Sequence, residues 1–483
     1  MIMSSNMIRV RFAPSPTGHP HIGNFRTALF NYLLARHHGG QFLLRIEDTD
    51  RERSKKEFEE AILESLRWMG LEWDEEPVYQ SQRIERHKEE AERLLASGFA
   101  YRCRCTAERI EALRKRQQEE GRTARYDGRC RDANYPDDGT PFCVRLKSPR
   151  EGVTKIQDAV RGEVVVSNEE LDDLVLARTD GTPTYNFAVV VDDHDMKITH
   201  VLRGDDHLNN TIRQAVLYQS LGYEIPVFAH LPQILGPDRT RLSKRHGASG
   251  VMEYRDQGYL AEALVNYMAR LGWSKGDQEF FQKSELIEAF SLEHVNKAAA
   301  VFDPQKLEWL NGEHIRAMDL DVLAERFSDY VEQKGYLGED ADAVLADKNL
   351  IRKIVQCTQI RAKTLEEMYQ KVSFLFEKGD YQFNEAEAQK AFKPEPMAAV
   401  KDFADFIHAH QGERFTHEDW ERIFGEIMEK RGVKMRPLAS AVRLALTGLT
   451  VTPPIFDVID LLGLERVERH LRYAIQYAEA RRD

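Results

Sequence analysis

Arg11-Phe12-Ala13-Pro14-Ser15-Pro16-Thr17-Gly18-His19-Pro20-His21-Ile22-Gly23-Asn24 is the stretch whose reading decides the fold. Ile8 to Phe12 before it reads as a short buried strand, ended by Pro14 and Pro16, with Gly18 and Pro20 in the turn. A helix is expected from Ile22 to His37. Phe25, Ala28, Leu29, Tyr32 and Leu33 recur on one face at helical spacing, which predicts an amphipathic stripe. Gly39-Gly40 supplies the stop, and Gln41 to Glu47, with Phe42-Leu43-Leu44, is the next strand. Strand, helix and strand make a right-handed parallel crossover, the opening of a doubly wound α/β sheet. Its first helix offers its N-terminus to an anion beside Gly18 and His21.

Further along, Thr199 to Arg203 reads as a strand followed by the polar turn Gly204-Asp205-Asp206-His207. Phe228 to Leu235 reads as another, entering the turn at Gly236-Pro237-Asp238. Open parallel sheets bind ligands at the carboxyl ends of strands. Glu47, Arg203 and the loop after Leu235 occupy such positions. That loop continues into Arg241-Leu242-Ser243-Lys244-Arg245-His246-Gly247-Ala248, and Arg239 to Arg245 holds four cations in seven residues. Between the two halves lie roughly a hundred residues with most of the cysteines and short β-like runs such as Glu163 to Val166, an inserted domain. After about Leu320 the pattern is helical, with proline breaks at Lys393-Pro394-Glu395-Pro396 and Thr452-Pro453-Pro454.

The chain has 483 residues, enough for about three domains. It is 42% hydrophobic and 31% charged, with five cysteines. That composition fits a soluble protein and argues against a disulfide framework. There is no apolar run of about 18 residues or more, so no membrane span is expected. Met1 to Met7 lacks the regions of a signal peptide, and a cytoplasmic location is expected. The net charge of −12 disfavours a nucleic-acid partner unless cations are clustered locally. Besides the 239–245 loop, clusters fall at Arg352, Lys353, Arg361 and Lys363, and at Lys430, Arg431, Lys434, Arg436 and Arg443.

A histidine at a helix start beside a glycine can hold nucleotide phosphates, with His21 as donor and Gly23 allowing close approach. Alone, His-Ile-Gly is equally a capped turn. Likewise, a lysine in a loop of mutually repelling cations suits a phosphate, or is simply a solvated basic loop. Arg203, an arginine after a strand, can bind a carboxylate, or can be a structural partner of Asp205 or Asp206.

The longer string Phe12-Ala13-Pro14-Ser15-Pro16-Thr17-Gly18 is far more specific. With Arg45-Ile46-Glu47-Asp48-Thr49-Asp50 and Arg241-Leu242-Ser243-Lys244-Arg245 it resembles the bacterial glutamyl-tRNA synthetases of class I. Thr182-Pro183-Thr184-Tyr185-Asn186, Val201 to His207, Phe302 to Gly312 and Pro437 to Gly448 carry the likeness across nearly the whole chain. Asn24 stands where the general class I motif has a second histidine.

The resemblance implies a class I Rossmann-type catalytic core at 1–85 and 186–250, with an inserted acceptor-stem-binding domain at 86–185. A stem-contact domain follows at 251–325, then an all-α anticodon-binding region at 326–483, broken near 380. It implies ligation of L-glutamate to tRNA(Glu) through glutamyl-adenylate, with ATP carrying Mg²⁺, no membrane, no obligate protein partner, and a monomer. His21 and Lys244 are the implied catalytic pair, and Gly23, Asn24, Ser243 and Arg245 join them at ATP. Arg11, Arg203 and Tyr185 are placed at the glutamate side-chain carboxylate, with Ser15 beside them and Glu47 at the ammonium. Cys103, Cys105 and Cys130 imply a structural zinc, with Asp132 as fourth ligand ahead of Tyr126; metal-free buried thiols are the plain alternative. Arg361 is the candidate anticodon reader. The competing functions are a glutamyl-queuosine tRNA(Asp) synthetase-like enzyme, expected to lack the helical half, and a catalytically silent tRNA-binding paralogue. Whether tRNA(Gln) is also charged stays open.

Overall fold

The computed structural model describes residues 7–18, 20–50, 52–242, 250–336, 341–376 and 382–481. The chain forms two compact units. The first comprises 1–253 and 261–304, and the second 254–260 and 305–483.

The first unit opens as its sequence requires, with β1 (Arg9–Phe12), α1 (Ile22–His37) and β2 (Gln41–Ile46). β1 and β2 are parallel, Arg9 opposite Gln41 and Phe12 opposite Leu44, and β2 continues parallel into β3 (Val78–Tyr79). Two helices follow, α2 (Lys56–Trp68) and α3 (Ile84–Ala96). Gly40 is required where the chain turns back into β2, because a Cβ there would meet the Ile8 carbonyl oxygen at 2.2 Å.

β4 (Ala100–Cys103), β5 (Cys143–Leu146) and β8 (Val175–Ala177) form a small antiparallel sheet. Between β5 and β8 the hairpin β6 (Val153–Asp158) and β7 (Gly162–Ser167) leaves this sheet for another. It joins β9 (His200–Gly204) and β10 (Val227–Leu231) in the order β7-β6-β10-β9, with β6, β10 and β9 parallel. β9 lies beside β1, where the Thr199 amide donates to the Arg9 carbonyl at 2.9 Å. The chain therefore winds away from β1 in both directions, through β2 on one side and β9 on the other. Such a switch point opens a crevice at the strand ends.

The expected amphipathic stripe on α1 is not how the helix packs. Every residue from Ala28 to Ala35 is buried, Asn31 included. α1 is covered by the sheet on one side and, on the other, by the helices Ala261–Arg270 and Lys283–Ala289. Phe30 meets Phe290 edge-on at 5.3 Å. A helix buried all round carries apolar side chains all round. Asn31 is tolerated because its amide donates to Thr27 O at 2.8 Å and Leu202 O at 3.1 Å, which ties the helix to β9. Leu43, Ala100, Val144, Leu176, Phe187, Val190 and Val201 belong to one hydrophobic core, so the small antiparallel sheet and the parallel sheet share an interior.

The second unit is helical among its described residues. Its longer helices include Leu320–Lys334, Pro394–Ala409, His417–Arg431, Met435–Thr447 and Ile455–Glu479. Phe403 of Pro394–Ala409 packs on Trp420 and Phe424 of His417–Arg431, all three buried. No helix among the described residues is long and apolar enough to cross a membrane.

Candidate active site

At the carboxyl ends of β1, β2 and β9 lies a cleft of about 390 Å³. Arg11, Ser15, His21, Gly23, Asn24, Glu47, Tyr185 and Arg203 all line it, so eight of the residues singled out in the sequence come together.

The floor is a buried ion network. Asp193, on the helix α5 (Tyr185–Asp195) that follows the intervening α4 (Ala107–Glu119), receives Arg11 Nε at 3.0 Å and Arg45 Nη1 at 2.5 Å. Arg45 Nη2 reaches Glu47 at 3.1 Å. Burial pushes the Asp193 carboxyl up, but Arg11 and Arg45 pull harder and hold it below the usual carboxylate range. For Glu47 burial wins over the same two cations, and its pKa stands above the ordinary value. Glu47 is thus a carboxylate short of positive charge, at the edge of a cleft.

Arg203 is the converse. It is 6% exposed. It pairs with neither Asp205 nor Asp206; Asp205 is taken by Arg161 at 2.5 Å. Its Nη2 donates to Thr211 Oγ1 at 2.6 Å and Gln214 Oε1 at 2.8 Å, and its Nε to His230 Nε2 at 3.3 Å. All three acceptors are neutral, and buried Nη1 has no partner among the described residues. Burial lowers the guanidinium's pKa, which is the signature of an uncompensated cation. Tyr185 starts α5 beside it, its hydroxyl 3.1 Å from His207 Nδ1.

At the other end of the cleft His21 is the N-cap of α1. Its Nδ1 accepts the Gly23 N–H at 3.1 Å, while Asn24 Oδ1 accepts the His21 N–H at 3.2 Å. The helix terminus thus spends an amide on the histidine. With Nδ1 an acceptor, the neutral ring carries its proton on Nε2. Desolvation by the cleft walls, then the nearby Arg241 cation, lower the His21 pKa and keep the ring neutral. A Cβ on Gly23 would lie 3.0 Å from the His21 ring. Gly23 makes room for that ring, a role more immediate than room for nucleotide. Arg241 and Leu242 line the cleft; Ser243, Lys244 and Arg245 lie outside the described residues.

A parallel sheet with a crevice at its switch point binds ligands there. Residues 7–309 match the family model described as tRNA synthetases class I (E and Q), catalytic domain, and residues 322–475 match the anticodon binding domain. The glutamate–tRNA ligase of Geobacter sulfurreducens is 48% identical over 472 residues, 98% of this chain and 99% of its own. That of Thermodesulfovibrio yellowstonii is 48% identical over 470 residues, 97% of this chain and 99% of its own. A crystal structure of a glutamate tRNA ligase from Elizabethkingia meningosepticum, in complex with its amino acid, superposes with a TM-score of 0.85. It is 32% identical, and the match covers 98% of this chain and 99% of that one. The chain belongs to the glutamate–tRNA ligase family of class I tRNA synthetases. The match to an anticodon-binding half goes against the shortened queuosine-type alternative, and the whole-chain likeness to ligases does not favour a silent paralogue.

Away from this glutamate–tRNA ligase cleft, the Sγ atoms of Cys103, Cys105 and Cys130 lie within 4.8 Å of one another. Asp132 is not part of that group, contrary to the sequence expectation; it is exposed. Tyr126 lies beside the three sulfurs: its hydroxyl is 3.4 Å from both Cys103 Sγ and Cys105 Sγ and accepts the Cys130 N–H at 2.9 Å. The turn after Cys130 carries Asp132 outward, whereas Tyr126 folds back. Cys143, opposite Cys103 in the β-ladder, donates to it and pulls its pKa down to about 4, against the effect of burial and with help from Tyr126.

In the second unit four of the nine clustered cations are paired with carboxylates among the described residues. Arg352 pairs with Asp321, Lys363 with Glu308, and Lys430 and Arg431 with Asp402. Arg361 is exposed and forms no ion pair among the described residues, and its neighbour Ile360 is 74% exposed.

Asp193, Arg45, Thr211, Gln214 and His230 were not singled out in the sequence. Asp193 follows the apolar run Phe187 to Val191 and Asp192, but no local pattern separates it from the neighbouring acids Asp192 and Asp195. Asp193→Asn leaves two buried guanidinium groups short of charge and is expected to cost about 3–5 kcal/mol at neutral pH. Because its folded pKa is depressed, the stabilisation is complete above about pH 4 and is lost as pH falls through the folded value. Denaturant titrations should show the gap between wild type and Asp193→Asn narrowing in that acid window and constant above it.

Proposed function

We propose that this cleft joins glutamate to ATP and that the resulting glutamyl-adenylate is the donor for tRNA. The chain is an ATP-dependent glutamate–tRNA ligase by family; the assignments that follow give its residues their parts. The observation that carries them is the buried Arg203 Nη1 with neither partner nor countercharge. A glutamate side-chain carboxylate supplies both, whereas glutamine brings an amide without charge, so a site built this way discriminates against it. Arg11 spends Nε and Nη2 on Asp193 and offers its remaining nitrogen to the same carboxylate, with Tyr185 and Ser15 beside it. Glu47, short of positive charge, receives the substrate ammonium.

The α-carboxylate then attacks the ATP α-phosphorus, and pyrophosphate leaves with the cleaved bond's electrons. His21 holds a phosphate oxygen through Nε2–H, positioned by Gly23 and Asn24. Lys244, flanked by Ser243 and Arg245, neutralises charge that grows on the reacting phosphates. ATP carries Mg²⁺, which offsets phosphate charge. A hydroxyl of the tRNA terminal ribose next attacks the acyl carbon, and AMP departs. Residues 1–85 and 186–250 are assigned to this chemistry, 86–185 to the acceptor stem, 251–325 to stem contact and 326–483 to the anticodon, with Arg361 as its reader. The substrates are cytoplasmic, and so is the assigned location.

Zinc fits Cys103, Cys105 and Cys130, with Tyr126 as fourth ligand. Zn–S bonds of about 2.3 Å in a tetrahedron put sulfurs roughly 3.8 Å apart, close to the 3.5 Å between Cys105 and Cys130. The ion would tie β4 to the 126–130 turn. Metal analysis of protein purified without chelator should give one zinc per chain, retained by Asp132→Ala and lost by Cys130→Ser. Less than about a tenth of an equivalent in the wild type would remove the site.

ATP–pyrophosphate exchange with glutamate, with and without tRNA, tests the reaction. Exchange is expected with tRNA(Glu) present, and Lys244→Ala should reduce its rate at least a hundredfold, about 2.7 kcal/mol of transition-state stabilisation. Failure to exchange under either condition would refute the ligase chemistry. Charging purified tRNA(Gln) alongside tRNA(Glu) decides the tRNA range.

A further inference from the structure

Behind Arg203 lies a second buried pair that no part of the reaction above uses. His230, on β10, and Asp158, at the end of β6, are both fully buried, with His230 Nδ1 2.6 Å from Asp158 Oδ2. The opposite ring nitrogen, Nε2, faces Arg203 Nε at 3.3 Å and Thr211 Oγ1 at 2.9 Å. Arginine can only donate, so Nε2 must be the acceptor and the ring proton must sit on Nδ1, where the carboxylate takes it. The tautomer is fixed by its neighbours at both ends.

Asp158 is itself fixed. Its Oδ1 accepts the Val160 amide at 2.9 Å, the Arg161 amide at 2.7 Å and the His230 amide at 3.3 Å. These amides belong to the β6–β7 turn and to β10, so the carboxylate clasps the hairpin to the strand whose neighbour carries Arg203. The chain of donors runs from His230 to Asp158 and from Arg203 to His230, Thr211 and Gln214. It consumes three of the five N–H groups of the guanidinium and leaves Nη1, buried and without a partner among the described residues, as the end not spent on protein.

We infer that His230, with its tautomer set by Asp158, is a positioning residue that orients Arg203 Nη1 toward the side-chain carboxylate of glutamate, and so contributes to choosing glutamate over glutamine. The inference rests on Arg203 being the glutamate contact. Metal-ligand geometries of this kind, in which a carboxylate sets a histidine's tautomer for the group beyond it, work by the same logic; here the group beyond is a guanidinium. The charged and titratable groups around His230 are Asp158 on β6, Arg203 on β9, and Asp205 and His207 in the turn after β9. Asp158 and Asp205 favour the imidazolium. Burial and Arg203 disfavour it and prevail, which keeps the ring neutral. A protonated ring would turn a second donor against Arg203 Nε.

The test compares two isosteres. His230→Asn keeps an amide near the Nδ1 position for Asp158 but withdraws the acceptor from Arg203. His230→Gln can return an oxygen to the Nε2 position. His230→Asn is expected to raise KM for glutamate about tenfold, the loss of one hydrogen bond to a charged group. It should leave KM for ATP within about twofold and narrow the preference for glutamate over glutamine. His230→Gln should recover most of the loss, and Asp158→Asn, which loosens the tautomer, should raise KM for glutamate less than His230→Asn. Equal changes in both KM values, or no change in KM for glutamate with His230→Asn, would overturn the positioning role. Arg203→Ala, run in parallel, separates the two claims. A raised KM for glutamate there with an unaffected His230→Asn sinks only the inference about His230. An unaffected Arg203→Ala sinks the assignment on which it rests.

Discussion

Asp193 is the constraint on which the site depends. One carboxylate, buried at the end of α5, holds an arginine from β1 and another from β2. Three elements distant in sequence are thereby locked at the switch point of the sheet. Two guanidinium groups could not be buried there without it, since the penalty for an unpaired buried ion exceeds what packing returns. The arrangement also distributes charge on purpose. Arg45 serves Asp193 fully and Glu47 only partly, which leaves Glu47 a carboxylate in search of a cation.

Arg203 balances that shortage with an excess of the opposite sign. Its neighbours, Thr211, Gln214 and His230, satisfy N–H groups without cancelling charge. The one cleft is therefore lined by a cation and an anion, each incompletely compensated. In the proposed reading a free glutamate, with a side-chain carboxylate and an ammonium, completes both at once. Water solvates such groups only weakly in a confined cleft, so electrostatic selection is strong there.

Much of this was legible in the sequence because short-range rules governed it. The Ile22–His37 helix and the strands flanking it follow from the proline breaks, the Gly39-Gly40 stop and local periodicity. Glu47 and Arg203 were legible because strand ends are where such sheets bind ligands, and His21 because it opens a helix; Arg11 came only from the family likeness. What escaped was set by long-range packing. α1 was expected to be amphipathic, but helices from beyond residue 260 cover its outer face. Asp132 was two residues from Cys130 in sequence, but the turn carries it outward and brings in Tyr126 instead. His230 and Asp158 sit 72 residues apart and meet only because the β6–β7 hairpin joins the parallel sheet, which no local pattern announces. The −12 charge misled about RNA in the same way: what matters is which cations, such as Arg361, lack a carboxylate neighbour.

In the proposed reading Arg203 is held ready, by neutral partners, for the carboxylate that distinguishes glutamate. A crystal structure of this protein with a non-hydrolysable glutamyl-adenylate analogue tests it most directly. The account predicts the side-chain carboxylate within hydrogen-bond distance of Arg203 Nη1, the ammonium at Glu47, and Arg11 still joined to Asp193. A side-chain carboxylate bound elsewhere, with Arg203 Nη1 still without a partner, would contradict it.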